Sequence, residues 1–380
     1  MIYLDNAATT SPKPKSVLRA CDYALKELCA NPGRSGHALS VKAADAVYKC
    51  RVKAAEFFGL DNSEKVVFTK NCTEALNTVI KGLALENCEV ITSCFEHNSV
   101  ARPLFSLKKR GVKTRIAKVY FVDRQKTVDS FRSLITDKTR LIICTHASNV
   151  CGTILPIREI GELCRERGIP FAVDGAQSAG MVSIDMKRDG IDFLCLPGHK
   201  GLYGPMGTGL LLCSGSLPDT LTEGGTGNLS NSLFQPDDLP ERLESGTVNV
   251  PGIAGLSAGI DFVKKTGISR INRHEKQLCA ILYKGLSDNK SITVYGENPT
   301  VTSTAPVVSF NINGIPSEQV SAELSSRGIA VRAGLHCAPF AHEVLETLKT
   351  GTVRVSFSVF NTPDEVKYLI KSIENIQKNV

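Results

Sequence analysis

Between Ser63 and Ser214 short, β-rich apolar runs alternate with longer amphipathic segments, and this alternation limits the fold more than any other feature of the chain. The runs Lys65–Thr69, Glu89–Ser93, Arg115–Val119, Arg140–Thr145, Pro170–Val173, Asp192–Leu196 and Gly209–Cys213 read as strands. Helical patterns lie between them at Thr73–Ala84, Ser99–Arg110 and Ile157–Arg167. Strand–helix–strand alternation predicts an α/β fold with a mostly parallel seven-stranded sheet sandwiched by helices. The last three runs are too close together for crossover helices, which leaves their order open. Pro251–Thr266 and Ser269–Asn289 read as long helices, the first rich in Gly and Ala and therefore closely packed. A strand at Val307–Asn311, a helix at Ser317–Arg327, a strand near Val353–Ser356 and a helix from Pro363 describe a smaller α+β unit. The expected organisation is a large domain over 16–255 and a small one from 1–15 and 256–380.

Composition excludes several classes. The chain has 380 residues, 42% of them hydrophobic, enough for a substantial core, and 22% charged, too ordinary a value for wholesale disorder. A net charge of +7 is spread without a long basic run, which argues against nucleic acid as partner. No run approaches the ~18 apolar residues that span a bilayer, and the first residues, Met-Ile-Tyr-Leu-Asp-Asn, resemble no signal peptide. A cytoplasmic location is therefore expected, with thiols kept reduced. The thirteen cysteines include no Cys-x-x-Cys pair, so neither disulfides nor a metal site is expected. Most sit inside apolar runs, as Cys144 and Cys213 do, where free Cys packs as a small hydrophobe.

Open parallel sheets bind ligands beyond the carboxyl ends of their strands. The residues just past these runs are polar: Asn71-Cys72-Thr73-Glu74, Asn149 in ASNVCGT, Asp174-Gly-Ala-Gln177, and Gly198-His199-Lys200-Gly201. Asn-Cys-Thr-Glu suits a phosphate at a helix start or is an ordinary cap. Asp174 caps the next helix or faces the pocket. Gly175-x-x-x-x-Gly180 lacks the Lys and Ser/Thr of a phosphate-transfer loop, and His274-Glu275 and His342-Glu343 lack the second histidine of a zinc helix. Lys200 is more informative. At a strand end among Gly198, Gly201, Gly204 and Gly207, desolvation can lower its pKa for Schiff-base chemistry. An aspartate for a pyridinium nitrogen and a helix start for a phosphate complete what pyridoxal phosphate needs from a protein.

These motifs resemble the class V, fold type I pyridoxal-phosphate enzymes, and within them the SufS-like cysteine desulfurases. The resemblance runs through YLDNAATT, NPGRSGHALS, NCTEALN, FEHNSV, SNVCGT, VDGAQSAG, PGHKGLYGP, ESGTVNVPGI and RAGLHCAP to VRVSFSVFNT. It implies Lys200 as covalent anchor and proton shuttle, Asp174 on the pyridinium nitrogen, Gln177 on the phenolic oxygen and His97 stacked on the ring. It implies Thr73, the backbone around Cys72, and His199 on the phosphate, with Thr247 reaching the phosphate of a neighbouring subunit in a homodimer. Arg354 would clamp the substrate carboxylate, with Asn149, Ala8 and Arg332 near the substrate. Cys337, in a polar loop, would attack the sulfur of L-cysteine, leaving a persulfide and L-alanine. Arg332 and His336 would favour its thiolate. A second protein or thiol would carry the sulfur onward, toward iron–sulfur clusters or thio-cofactors.

Two positions depart from the pattern. Leu335 stands where a second histidine is usual, and Pro197 replaces a hydroxyl residue that contacts the phosphate. A selenocysteine lyase or another β-lyase, an aminotransferase of the same family, and a non-enzymatic binding module are the rival readings.

Overall fold

The structure, a computed structural model, describes every residue except Arg34, Ala84, Val301, Ser303, Asn379 and Val380. The described residues form β1 (Ile2–Tyr3), β2 (Val66–Thr69), β3 (Glu89–Ser93), β4 (Lys113–Ala117), β5 (Thr139–Thr145), β6 (Phe171–Asp174), β7 (Phe193–Pro197), β8 (Gly209–Cys213), β9 (Ile292–Tyr295), β10 (Val307–Ile312), β11 (Ile329–Ala330), β12 (Arg332–Gly334) and β13 (Thr352–Ser356).

The seven expected strands build one sheet in the order β2-β8-β7-β6-β5-β3-β4. β3 pairs parallel with β4 and β5, and the parallel run continues through β6 to β7. β8 alone is reversed, antiparallel to both β7 and β2. The order left open is thereby resolved: residues 198–208 are too short for a crossover, so β8 returns beside β7. β4 lies two residues earlier than expected, because residues 118 and 119 turn away after the register with β3 ends at Ala117.

Both faces of the sheet are covered, since alternate side chains of a strand point to opposite sides. Val67, Ile143, Ala172, Phe193 and Leu211 pack under the helices Cys72–Gly82 and Asn98–Ser106. Val66, Ile142, Phe171, Val173 and Leu194 face the helices Ala38–Phe57, Ile157–Arg167 and Val250–Thr266. Phe171 and Phe193 are fully buried, so truncating either to Ala costs about 3–5 kcal/mol.

Four helices of the sheet-bearing part are not foreseen from the sequence: Lys15–Glu27, Ala38–Phe57, Arg124–Leu134 and the short Met186–Asp189. The second buries residues on more than one side, among them Ala43, Val47, Cys50 and Ala54, which blurs a helical stripe. Ser99–Arg110 is α-helical only over Asn98–Ser106 and tightens to a 3-10 turn at Leu107–Arg110, which Gly111 ends with φ +74°. The expected end of the Thr73–Ala84 helix, Ala84, lies outside the described residues.

The carboxyl-terminal part carries the antiparallel sheet β12-β13-β10-β9. Its core joins Phe310, Val353 and Val355 to Leu278, Leu324 and Leu369 of the helices Ile268–Ser287, Ser317–Ser326 and Pro363–Lys378. The chain's first residues are tied into this part, as β1 pairs parallel with β11 and Leu4 joins that core.

Edge strand β2 is closed by side chains. Arg51 donates to the Val66 carbonyl, Glu244 accepts the Phe68 N–H, and the two form a buried ion pair. An ion pair thus occupies hydrogen-bonding positions that a further strand would otherwise fill. Among the described residues no helix is long and apolar enough to cross a membrane.

Candidate active site

Asn149, Asp174 and Lys200 come to one end of the sheet because each lies at or just beyond the carboxyl end of β5, β6 or β7. Glycines let two of these loops touch. A Cβ on Gly180 would lie 2.1 Å from the Gly201 carbonyl oxygen, and one on Gly201 would lie 2.2 Å from that of Ala179. The loop after Asp174 and the loop of Lys200 are therefore packed backbone against backbone, and Gly180 serves this contact in a left-handed conformation (φ +80°).

Asp174 is buried, and its Oδ1 accepts from the Ala176 N–H at 2.9 Å and from the Cys72 thiol at 3.5 Å. Burial raises its pKa above the usual carboxylate range. Burial also lowers that of Lys200, and the Arg354 charge lowers it further, outweighing the opposite pull of Asp174. Both shifts favour the neutral forms, and a neutral amine is the nucleophilic form of lysine. Cys72 opens the helix Cys72–Gly82, where Asn71 caps the Glu74 N–H. Its thiol pKa lies well above normal through burial, so it acts as a donor to Asp174 and not as a thiolate. Thr73 is exposed in the first turn of this helix.

His97 is the N-cap of the helix Asn98–Ser106. Its Nδ1 accepts the Ser99 N–H at 3.0 Å and lies 2.8 Å from the Ser99 hydroxyl. An accepting Nδ1 assigns the ring proton to Nε2. Burial, followed by the charge of Lys200, brings its pKa down to about 4, so the imidazole is neutral near pH 7. His199 is brought down to about 4 in the same way, and its carbonyl is gripped by Thr10 and Lys13. Gln177 is buried and donates to the Ala7 carbonyl at 3.0 Å. Ala8 comes next, in the turn closed by its N–H on the Asp5 carbonyl.

Arg354 is buried on β13, directly opposite Arg332 of β12. It donates to Asp5 at 2.8 Å and to the Asn149 carbonyl at 3.1 Å. The sequence does not single out Asp5, although it lies within the YLDNAATT motif. Like charges facing across a ladder are unfavourable unless anions offset them, and Asp5 pairs with Arg354 alone among the described residues.

Cys337 is exposed, and its loop is held from several sides. The Asn98 N–H donates to the Cys337 carbonyl at 2.7 Å, and Asn149 Nδ2 donates to the His336 carbonyl at 2.7 Å. His336 corrects an expectation. Its ring turns inward, with Nε2 3.0 Å from the Thr352 hydroxyl, and burial lowers its pKa to about 2. A neutral, buried ring supplies no cationic charge to Cys337.

Thr247 is the candidate residue that this cluster leaves out. It is exposed, lies 3.4 Å from Asn31 Nδ2, and lines a separate cleft of about 540 Å³ with Lys70, Glu74 and Thr208.

The residues present suit the cofactor that the resemblance implies. Among the described residues His199 Nδ1 and Arg354 Nε are buried without a protein partner, and buried polar groups are seldom left so. They are two of the positions at which a phosphate and a substrate carboxylate are expected. Asp174 and Lys200 sit together where a pyridine nitrogen and an aldehyde would need them.

Comparison with known proteins agrees with this arrangement. Residues 2–369 match the family model described as Aminotransferase class-V. A probable cysteine desulfurase of Methanothermobacter thermautotrophicus is 37% identical, over 99% of this chain and 94% of its own length. One from Pyrococcus abyssi is 35% identical, over 100% and 95%. The apo structure of a cysteine desulfurase from Thermococcus onnurineus superposes with a TM-score of 0.91 at 33% identity, covering 100% of this chain and 95% of that one.

Proposed function

The chain belongs to the class V aminotransferase family, and we propose that it is a pyridoxal-phosphate-dependent cysteine desulfurase, an enzyme that takes sulfur from L-cysteine and leaves L-alanine. The observation that carries this reading is the exposed Cys337, whose loop is held by the Asn98 N–H, beside His97, on the Cys337 carbonyl and by Asn149 on the His336 carbonyl, Asn149's own carbonyl accepting from Arg354. A nucleophilic thiol is thereby tied to the cluster that would bind an amino acid.

Lys200 would anchor the cofactor, with Asp174 at its pyridine nitrogen, Gln177 at its phenolic oxygen and His97 over the ring. Thr73, the backbone at Cys72, and His199 would hold the phosphate, joined by Thr247 of a neighbouring copy in a homodimer. When bound, pyridoxal phosphate supplies an electron sink conjugated to the substrate's α-carbon. Arg354 binds the substrate carboxylate through its free Nε–H, with Arg332, Asn149 and Ala8 around the same end. Lys200, kept toward its neutral form, takes the α-proton. Cys337 as thiolate attacks the substrate sulfur, the carbon–sulfur bond breaks, and the sulfur stays on Cys337 as a persulfide. The stoichiometry balances: L-cysteine and one thiol give L-alanine and one persulfide. An acceptor protein or thiol then regenerates Cys337.

The test is to incubate the cofactor-loaded protein with L-cysteine, quantify alanine and map persulfide by mass spectrometry. Alanine with persulfide on Cys337, both lost in Cys337→Ala, is the expected result. Undiminished alanine from Cys337→Ala would overturn the mechanism and favour a lyase that works without this thiol.

A further inference from the structure

The dipeptide His274-Glu275 lies against residues 359–361, His274 directly and Glu275 through Tyr203. His274 Nε2 lies 2.9 Å from the Asn361 carbonyl. Glu275 is 2% exposed on the helix Ile268–Ser287 and accepts at Oε1 from the Tyr203 hydroxyl at 3.4 Å. The same hydroxyl accepts the Val359 N–H at 3.2 Å. Among the described residues Glu275 Oε2 has no hydrogen-bond partner, and Glu275 lines a cavity of about 10 Å³ shared with Tyr203, Gln177 and Asn6. Burial raises the pKa of this carboxyl well above the ordinary range, outweighing the hydrogen bond from Tyr203.

Tyr203 lies in the Lys200 loop. Its N–H closes a turn on the Lys200 carbonyl at 2.7 Å, and its φ of +57° is left-handed, a rare and strained conformation for a bulky residue. Its ring is boxed edge-to-face by Phe262 and Phe360, at 5.1 and 5.9 Å between centroids. Val359 lies three residues beyond β13, the strand of Arg354. One buried hydroxyl therefore joins the turn that ends on Lys200 to the segment that continues from Arg354, and Glu275 fixes where that hydroxyl sits.

We propose that Tyr203, held by Glu275, is a positioning residue that sets the spacing between Lys200 and Arg354, and so makes productive binding of an α-carboxylate depend on a hydroxyl bonded to Glu275 and Val359. The proposal rests on the roles of Lys200 and Arg354 in a desulfurase. A substrate gripped at both its amino and carboxylate ends needs that spacing, whereas an amine reacting at Lys200 alone does not.

The experiment uses the cofactor-loaded enzyme, with two readouts: kcat and KM for L-cysteine, and the rate at which hydroxylamine, an amine nucleophile without a carboxylate, strips the cofactor from Lys200. Tyr203→Phe keeps the ring and removes the hydroxyl. It is expected to lower kcat/KM for L-cysteine about tenfold, mainly through KM, with the hydroxylamine rate within roughly twofold of wild type. Glu275→Gln, which retains an acceptor for the hydroxyl, should stay near wild type, and Glu275→Leu should behave like Tyr203→Phe. If Glu275→Leu does not load cofactor, the other two variants decide. An unchanged kcat/KM in Tyr203→Phe, an equal fall in both readouts, or a large loss in Glu275→Gln would overturn the proposal. Absence of alanine from the wild-type enzyme would instead refute the desulfurase reading.

Discussion

The backbone N–H of Asn98 donates to the carbonyl of Cys337 at 2.7 Å, so the helix that His97 caps also holds the loop of the exposed thiol. That hold has something to resist. His336 and Cys337 both have left-handed backbones, φ +48° and +57°, and each such non-glycine residue costs about 1–3 kcal/mol. The loop keeps this shape through Asn98 on the Cys337 carbonyl, Asn149 on the His336 carbonyl and Thr352 on the inward-turned His336 ring.

Asn149→Ala removes the donor to the His336 carbonyl and leaves a buried acceptor unsatisfied, at a cost of about 1–3 kcal/mol. The loop should relax, with Cys337 alkylated faster by iodoacetamide while kcat for desulfuration falls. Slower or unchanged alkylation would show that Asn149 does not restrain the loop.

Arg354→Lys keeps a charge and loses the planar fork. A single ammonium cannot reproduce contacts to Asp5, to the Asn149 carbonyl and to a substrate carboxylate together. KM for L-cysteine should rise about 10- to 100-fold, as for loss of a hydrogen bond to a charged group of roughly 1.5–3 kcal/mol. Steady-state kinetics checks this, and an unchanged KM would remove Arg354 from the carboxylate site.

Gly201→Ala places a methyl group 2.2 Å from the Ala179 carbonyl oxygen, and backbone must move to admit it. Overpacking of this kind costs about 1–3 kcal/mol. Because it parts the Lys200 loop from the loop after Asp174, the variant should lose cofactor faster on dialysis as well as melt lower. Gly36→Ala, with open space around it and no left-handed φ, controls for the added methyl group alone.

Acid should destabilise the fold through neutral buried histidines. His146 is 4% exposed and its pKa is lowered from 6.5 to about 4 by burial. Between those values the unfolded chain binds a proton that the folded one does not, so stability is complete above about pH 6.5 and is lost as the pH falls toward 4. By linkage this group alone amounts to about 3 kcal/mol. Denaturant midpoints measured from pH 7 to pH 4 should fall, and His146→Gln should flatten that fall. A midpoint independent of pH in this range would contradict the assignment.

Much of the site was legible in the sequence because one rule of parallel sheets does most of the placing. Apolar runs mark strands, and polar residues just after them mark the ligand end, which is how Asn149, Asp174 and Lys200 could be found before any contact was known. Local chemistry also identified Cys337, the one cysteine in a polar loop after a strand-like run that carries the motif, although Cys29 is exposed as well. Periodicity failed for Ala38–Phe57, whose burial on more than one side leaves no clean stripe.

By itself, then, the sequence determined the seven strands of the large sheet and the types of side chain at its carboxyl end, since each arises from a pattern within a few residues, while the place and reversal of β8 came from the structure. Only the tertiary structure decided which of those groups meet. The facing of Arg332 and Arg354, the pairing of Arg354 with Asp5, the inward turn of His336 and the reach of Tyr203 to Glu275 all depend on register and approach between segments far apart in the chain. Short-range patterns carry no record of such distances. They arise when packing a common core fixes one backbone against another, and here glycines at 180 and 201 allow the final approach.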